Sequence, residues 1–197
     1  VAPRGVIALA AMGLTTAVSR DLRVTIGSVS GGGERVTGAW RFWPDRARLP
    51  FMDIHQSGTR SDRELYAYAF ANRDAWDALR AKHDFQVALL DGHQEWVRGD
   101  RLLDFLDADP RWALVFRDDA AALYVRRDGP LAAVAQAYAY RVMPGGNEGV
   151  VRAGPGVFKD VASRRALRAD LMRRLTESPL NAQAHSLLAN LDFIEND

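Results

Sequence analysis

The sequence predicts an α/β fold: a small layered sandwich with a mixed, mostly parallel sheet, an antiparallel edge hairpin, and a helical segment after it. Three observations in the stretch Trp76–Arg126 carry the prediction. Helical spacing through Leu79 gives way to an apolar run, Phe85–Leu90, interrupted only by Gln86, the mark of a strand buried on both faces. A short helix over Arg101–Leu106 ends at Asp109-Pro110, since the residue before a proline avoids helical geometry. Trp112–Phe116 and Ala121–Val125 then alternate around the acidic turn Arg117-Asp118-Asp119, as two antiparallel strands do. Strand, helix and hairpin together make a β-α-β-β unit.

Upstream, Ala2–Met12 has helix-former composition, with Pro3 in the first turn and Gly13 as C-cap. Leu14–Ser19 reads as a short strand. Leu22, Val24 and Ile26 alternate with Arg23, Thr25 and Gly27 in a half-buried strand, Leu22–Val29. The turn Ser30–Glu34 leads to a strand over Arg35–Trp43, ended by Pro44, and Leu49–Ile54 forms another. Ser61 or Asp62 can cap a helix over Asp62–Lys82, either continuous or broken near Asn72.

After Arg126, Asp128-Gly129-Pro130 breaks the sheet, and an Ala-rich helix covers Leu131–Val142. Pro144–Gly149 and Gly154-Pro155-Gly156 read as a loop-rich linker. Helices over Ala162–Thr176 and Asn181–Phe193, separated by Pro179, complete the chain. The domain boundary falls near residue 128, giving an α/β domain over 1–128 and a helical tail over 129–197.

Composition narrows the function classes. The 197 residues are 48% hydrophobic, enough for a sizeable core, and the net charge of +1 provides no global field for nucleic acid or an anionic membrane. Lysine occurs only at Lys82 and Lys159, an arginine bias that fits a GC-rich coding sequence. With no cysteine, disulfides, thiolate metal sites and thiol nucleophiles are excluded. No apolar run reaches the roughly 18 residues that span a bilayer, so direct membrane insertion by these residues is not expected. The start at Val1, without a signal-peptide n-region, suggests a fragment of a longer product.

Each candidate site has a plain structural reading beside it. Asp53-Ile54-His55-Gln56 and Asp91-Gly92-His93-Gln94 each follow a predicted strand. If those strands are parallel neighbours, both segments emerge at the carboxyl edge of the sheet, where open α/β folds bind ligands. Asp53, His55, Asp91 and His93 then form a ligand-binding set whose imidazoles and carboxylates suit zinc or manganese. The competing reading makes both segments polar strand-to-loop transitions shaped by turn geometry, and no resident metal or cofactor is assigned. Trp40 and Phe42 share one strand face while Trp43 takes the other, which makes Trp40 a candidate for a partner surface or carbohydrate cleft.

The glycines of 27–33 lie between two predicted strands, whereas a phosphate cradle needs a helix after the loop. The acidic run Asp104, Asp107, Asp109, Asp118 and Asp119 lacks the glycine and terminal glutamate of a calcium loop. Helix-end and turn chemistry explain it better. No catalytic residues are assigned, and the chain by itself reads as non-enzymatic.

Several motifs carry a family resemblance. Pro3–Leu14, Gly38-Ala39-Trp40-Arg41-Phe42-Trp43-Pro44 and Phe51-Met52-Asp53 come first. Tyr66, Tyr68 and Trp76–Leu79 follow, and then Asp109-Pro110-Arg111-Trp112 through Asp118-Asp119 to Val125-Arg126. Together they resemble a family of soluble domains at the C-terminus of large bacterial polytopic membrane proteins, whose parents resemble lipid-linked-sugar glycosyltransferases. The match covers most of residues 2–126. Leu22–Gly33 is an addition, and His55 stands where relatives usually carry Arg. The resemblance implies an accessory domain on the extracytoplasmic face, with the rest of a membrane-embedded parent as its partner. It transfers no catalytic residue.

The tail, through Arg164–Arg174, Pro179, Asn181-Ala182 and Leu187–Ala189, resembles a tetratricopeptide-type helix pair. A single pair cannot bury its own face. It must dock on the α/β part, pair with the Leu131 helix, or continue into further residues, and as an interaction module it would recruit another protein.

Overall fold

A computed structural model of the chain describes residues 6–8, 16–18, 23–25, 59–91, 101–118 and 121–196. The first strand, β1 (Val6–Ala8), falls where a helix over Ala2–Met12 is predicted. Val6 and Ile7 are β-branched, and β1 pairs in parallel with β4 (Val87–Asp91), so sheet pairing outweighs the helical preference of the neighbouring alanines. β2 (Thr16–Val18) and β3 (Arg23–Thr25) pair antiparallel as a separate ribbon. The strands predicted over Arg35–Trp43 and Leu49–Ile54 lie outside the described residues.

α1 (Arg60–Ala69) and α2 (Arg73–His83) are the broken version of the predicted helix. Thr59 and Asp62 form a reciprocal capping box at the start of α1. The break comes at Asn72, whose side chain accepts a hydrogen bond from Ala75 N at 3.1 Å and caps α2. Asp62 also receives Lys82 Nζ at 2.6 Å and His83 Nε2 at 3.0 Å, tying the two helices together. The Lys82 contact holds its carboxyl well below the usual carboxylate range.

α3 (Leu102–Asp107) leads to the hairpin of β5 (Trp112–Arg117) and β6 (Ala121–Arg126). The sheet order is β1-β4-β6-β5, with β4, β6 and β5 successively antiparallel. The fold is therefore roughly α/β with the expected edge hairpin, but the sheet is mostly antiparallel. β6 folds back from β5 and lies against β4, and the parallel pairing among the described strands is β1 with β4. A hairpin needs only a short turn, whereas each parallel neighbour requires a crossover.

Alternation along the strands divides the core. Ala88, Leu90, Trp112, Leu114, Ala122 and Tyr124 face the larger apolar cluster, while Val87, Leu89, Ala113, Val115, Leu123 and Val125 face a second one. A bulge between Leu114 and Phe116 sets Val115 and Phe116 on the same cluster. Burial on both faces accounts for the continuous apolar stretch Val87–Leu90 before Asp91. In the larger cluster, Trp76 is fully buried and lies 6.2 Å from Phe85 and 6.3 Å from Trp112, centroid to centroid. Trp76→Ala is expected to cost about 4 kcal/mol of stability, read by urea unfolding.

α4 (Ala132–Tyr138) packs Ala135 on the second cluster. α5 (Asn147–Val157) replaces the predicted linker, with Pro155 in its last turn. This helix forms despite its glycines because carboxylates of α3 cap its start and Val157 joins the larger core. α6 (Val161–Glu177) and α7 (Ala182–Asn196) are antiparallel partners, clamped by Arg168 on Asp192 and Glu195, both at 2.7 Å. Leu167, Leu171, Ala184 and Leu191 enter the same cluster as Trp76, so the helix pair buries its apolar face on the α/β part.

The β5 edge is closed from this side. Tyr140 N donates to Leu114 O at 2.9 Å, and Arg173, stacked 4.5 Å over the Tyr140 ring, donates to Val115 O. Such cover keeps an edge strand from pairing with a second chain.

Candidate functional site

The densest polar construction among the described residues surrounds the segment Tyr140–Gly149, which joins α4 to α5. Asp170 of α6 reaches it from one side. Its Oδ2 accepts the backbone N–H groups of Arg141, Val142 and Met143 at 2.9, 2.8 and 3.0 Å. α3 reaches it from the other. Asp107 accepts Gly145 N on Oδ1 at 3.2 Å and Gly146 N on Oδ2 at 2.7 Å. Asp104 Oδ1 accepts Glu148 N at 2.9 Å and Gly149 N at 3.3 Å, which caps α5 from a neighbouring helix. Pro144 has no N–H to satisfy. The segment is a strap held by carboxylates at both ends.

Two residues of the sheet complete the grip. Tyr124 donates its hydroxyl to Asp107 Oδ1 at 2.8 Å, and the buried Arg117 donates to Gly145 O. Close approach fixes the residue types. A Cβ on Gly145 would meet the Tyr124 hydroxyl at 2.1 Å, and one on Gly146 would lie 2.2 Å from Asp104 Oδ1 and 2.7 Å from Asp104 N. Burial raises the Asp107 carboxyl against the lowering effect of its donors Gly146, Tyr124 and Gly145. Burial also lowers the Arg117 guanidinium and raises the Tyr124 phenol well above its ordinary value, with Asp107 adding to the latter.

The other buried aspartates have the same kind of role. Asp118 Oδ1 closes the hairpin turn by accepting Ala121 N at 2.6 Å. Asp109 accepts Arg111 N at 3.1 Å and is paired with the Arg111 guanidinium at 2.7 Å, which lowers its carboxyl. Helix-end and turn chemistry thus explains the described part of the acidic run, with Asp104 serving the end of a different helix.

Asp53, His55, His93 and Trp40 lie outside the described residues. Asp91 closes β4, its backbone paired with Ala121 of β6. Both edges of β4 are occupied over Val87–Leu89, by β1 and β6, so no edge is open there for a further parallel neighbour. Among the described residues, no group of three or more His, Asp or Glu is placed to hold a metal ion. The purified chain is expected to carry no stoichiometric zinc or manganese after incubation with either ion and desalting. A stoichiometric ion, lost on His55→Ala or His93→Ala, would establish the metal-binding reading instead.

Sequence reasoning passed over the strap, although a signal was present. Asp104 and Asp107 interrupt a helix otherwise made of Leu102, Leu103, Phe105 and Leu106, all buried. Carboxylates inside an apolar helix require donors from elsewhere.

No protein-family model, curated protein or solved structure matches the chain. Its functional reading therefore rests on its own residues. No helix among those described is long and apolar enough to cross a membrane.

Proposed function

We propose that this chain is a non-catalytic accessory domain of a bacterial membrane protein, placed on the extracytoplasmic face and serving a glycosyltransferase-like parent. One observation supports the non-catalytic part most strongly. Among the described residues, each buried aspartate, namely Asp62, Asp104, Asp109, Asp118 and Asp170, accepts a backbone N–H of the chain itself. A general base or nucleophile needs a free lone pair directed at a substrate. These carboxylates are directed at turns, helix starts and the strap, as in a scaffold that holds its shape for a partner. The membrane parent enters through the resemblance carried by the motifs across residues 2–126, which fit best from Trp76 to Arg126.

Fractionation of the native host with an antibody against this domain tests the proposal. The antigen is expected in membranes washed with alkaline carbonate, and it should be digested by protease added outside spheroplasts. Recovery in the soluble fraction would remove the membrane parent. Protection from external protease would reverse the sidedness.

A further inference from the structure

A net charge of +1 conceals a local imbalance. From Gly149 to Ala169 the chain carries Arg152, Lys159, Arg164, Arg165 and Arg168 against one acid, Asp160. This stretch runs along α5 and turns into α6. We propose that the α5–α6 corner is a peripheral contact for an anionic lipid surface. Arg152, Lys159 and Arg165 would meet the headgroups, and Val151 and Val161 would enter the interfacial layer. Contact of this kind requires no inserted segment. It adds an orientation to the membrane reading above, yet it rests on the chain's own residues and not on the parent.

Pairing sets these three cations apart. Arg164 and Arg168 are answered by Glu195 and Asp192 of α7. Elsewhere Arg60 has Glu64, Arg73 has Asp77, Arg101 has Glu148 and Arg111 has Asp109. Arg152, Lys159 and Arg165 are exposed and, among the described residues, have no carboxylate partner. Asp160 between them is committed to capping α6, where it accepts Ser163 N at 2.7 Å. Apolar surface stands beside the charge, with Val151 71% and Val161 60% exposed. A lone exposed valine is ordinary, but two among unpaired cations give the mixed chemistry of an interfacial site. Arg152 and Arg165 each lie within two helical turns of Phe158–Asp160, about 10 Å along either helix. Arg164 Nη1 donates to Phe158 O at 2.7 Å and ties that junction together. No atom comes within 4 Å of a Cβ placed on Gly156, so this end of α5 is uncovered. A single-stranded nucleic acid would call for stacking aromatics, where the corner exposes valines.

Sedimentation of the intact chain with phosphatidylglycerol vesicles, over a range of lipid concentrations at about 20 mM salt, tests the proposal. Binding is expected there, with none to phosphatidylcholine vesicles, and it should vanish at about 0.5 M salt. Arg165→Gln should lower the partition about fivefold, and the triple variant R152Q, K159Q, R165Q roughly a hundredfold. Val151→Ser combined with Val161→Ser should weaken binding at unchanged charge. Arg60→Gln, which removes an exposed cation of α1, should leave it unchanged. All these positions are exposed, so the variants are expected to fold. No binding to phosphatidylglycerol, equal binding to both lipids, or an unaltered partition in the triple variant overturns the proposal. Retention of a DNA duplex without vesicle binding overturns it as well and makes nucleic acid the partner. Those failures leave the fractionation of the native host as a separate test of the membrane parent.

Discussion

Gly146→Ala is expected to lower the unfolding free energy by about 3 kcal/mol, the upper part of the range for forcing extra volume into a packed site. The added methyl would sit 2.7 Å from the Asp104 backbone nitrogen, which no side-chain rotation can relieve. Either α3 or the strap must move. Movement lengthens the bonds that Asp107 makes to Gly146 N and that Asp104 makes to Glu148 N, leaving donors short of acceptors. Backbone strain is not the cause, because Gly146 has φ −89°, open to any residue. Gly156→Ala is the matched control. It lies in α5, the helix that Gly146 precedes, with open space around its Cβ position, so alanine there should be neutral or stabilising by up to about 1 kcal/mol. Urea unfolding of the two variants checks the contrast, and equal effects would place the strap elsewhere.

Asp170→Ala carries an effect of similar size by a different route. Its Oδ2 is the shared acceptor for three successive backbone N–H groups, Arg141 to Met143, and the aspartate is itself buried. Removing the acceptor leaves those donors with nothing comparable to bond, at roughly 1 kcal/mol or more each, for a total of about 3 kcal/mol. Asp170→Asn keeps one carbonyl oxygen of the right shape, so its loss should be smaller, about 1 kcal/mol. Thermal or urea unfolding measures both. An alanine variant as stable as the asparagine one would show that the amides find other partners.

What the sequence disclosed and what it hid follow from how far each determinant reaches. The β4–α3–β5–β6 unit was legible because its signals are local: apolar continuity before Asp91, Asp109-Pro110 after the helix, and the Asp118 turn between alternating strands. The same local logic misassigned Pro144–Gly156, since glycine and proline in series describe a linker when read alone. The residues that turn it into a strap and a helix are Asp104, Asp107 and Asp170, and Asp104 lies 44 and 45 positions from the amides it holds. Periodicity carries nothing over that distance. The parallel sheet failed for a related reason, because the apolar run of a doubly buried strand looks the same whichever way its neighbours run. For the Asp-x-His-Gln pair, β4 has neighbours on both sides, and the only member described, Asp91, ends that strand.

The strap and its carboxylates are expected to make the α/β part and the helices beyond residue 128 one cooperative unit. All five tryptophans precede residue 128, so their fluorescence reports the α/β part. Leu180 is 89% exposed, and the chain has no cysteine, so Leu180→Cys allows a single fluorophore on the helix pair. Equilibrium urea unfolding followed with both probes is the direct test. Coincident transitions, displaced together by Asp170→Ala, are the predicted result. Two separate transitions, with the helix pair melting while the tryptophan signal stays native, would contradict it.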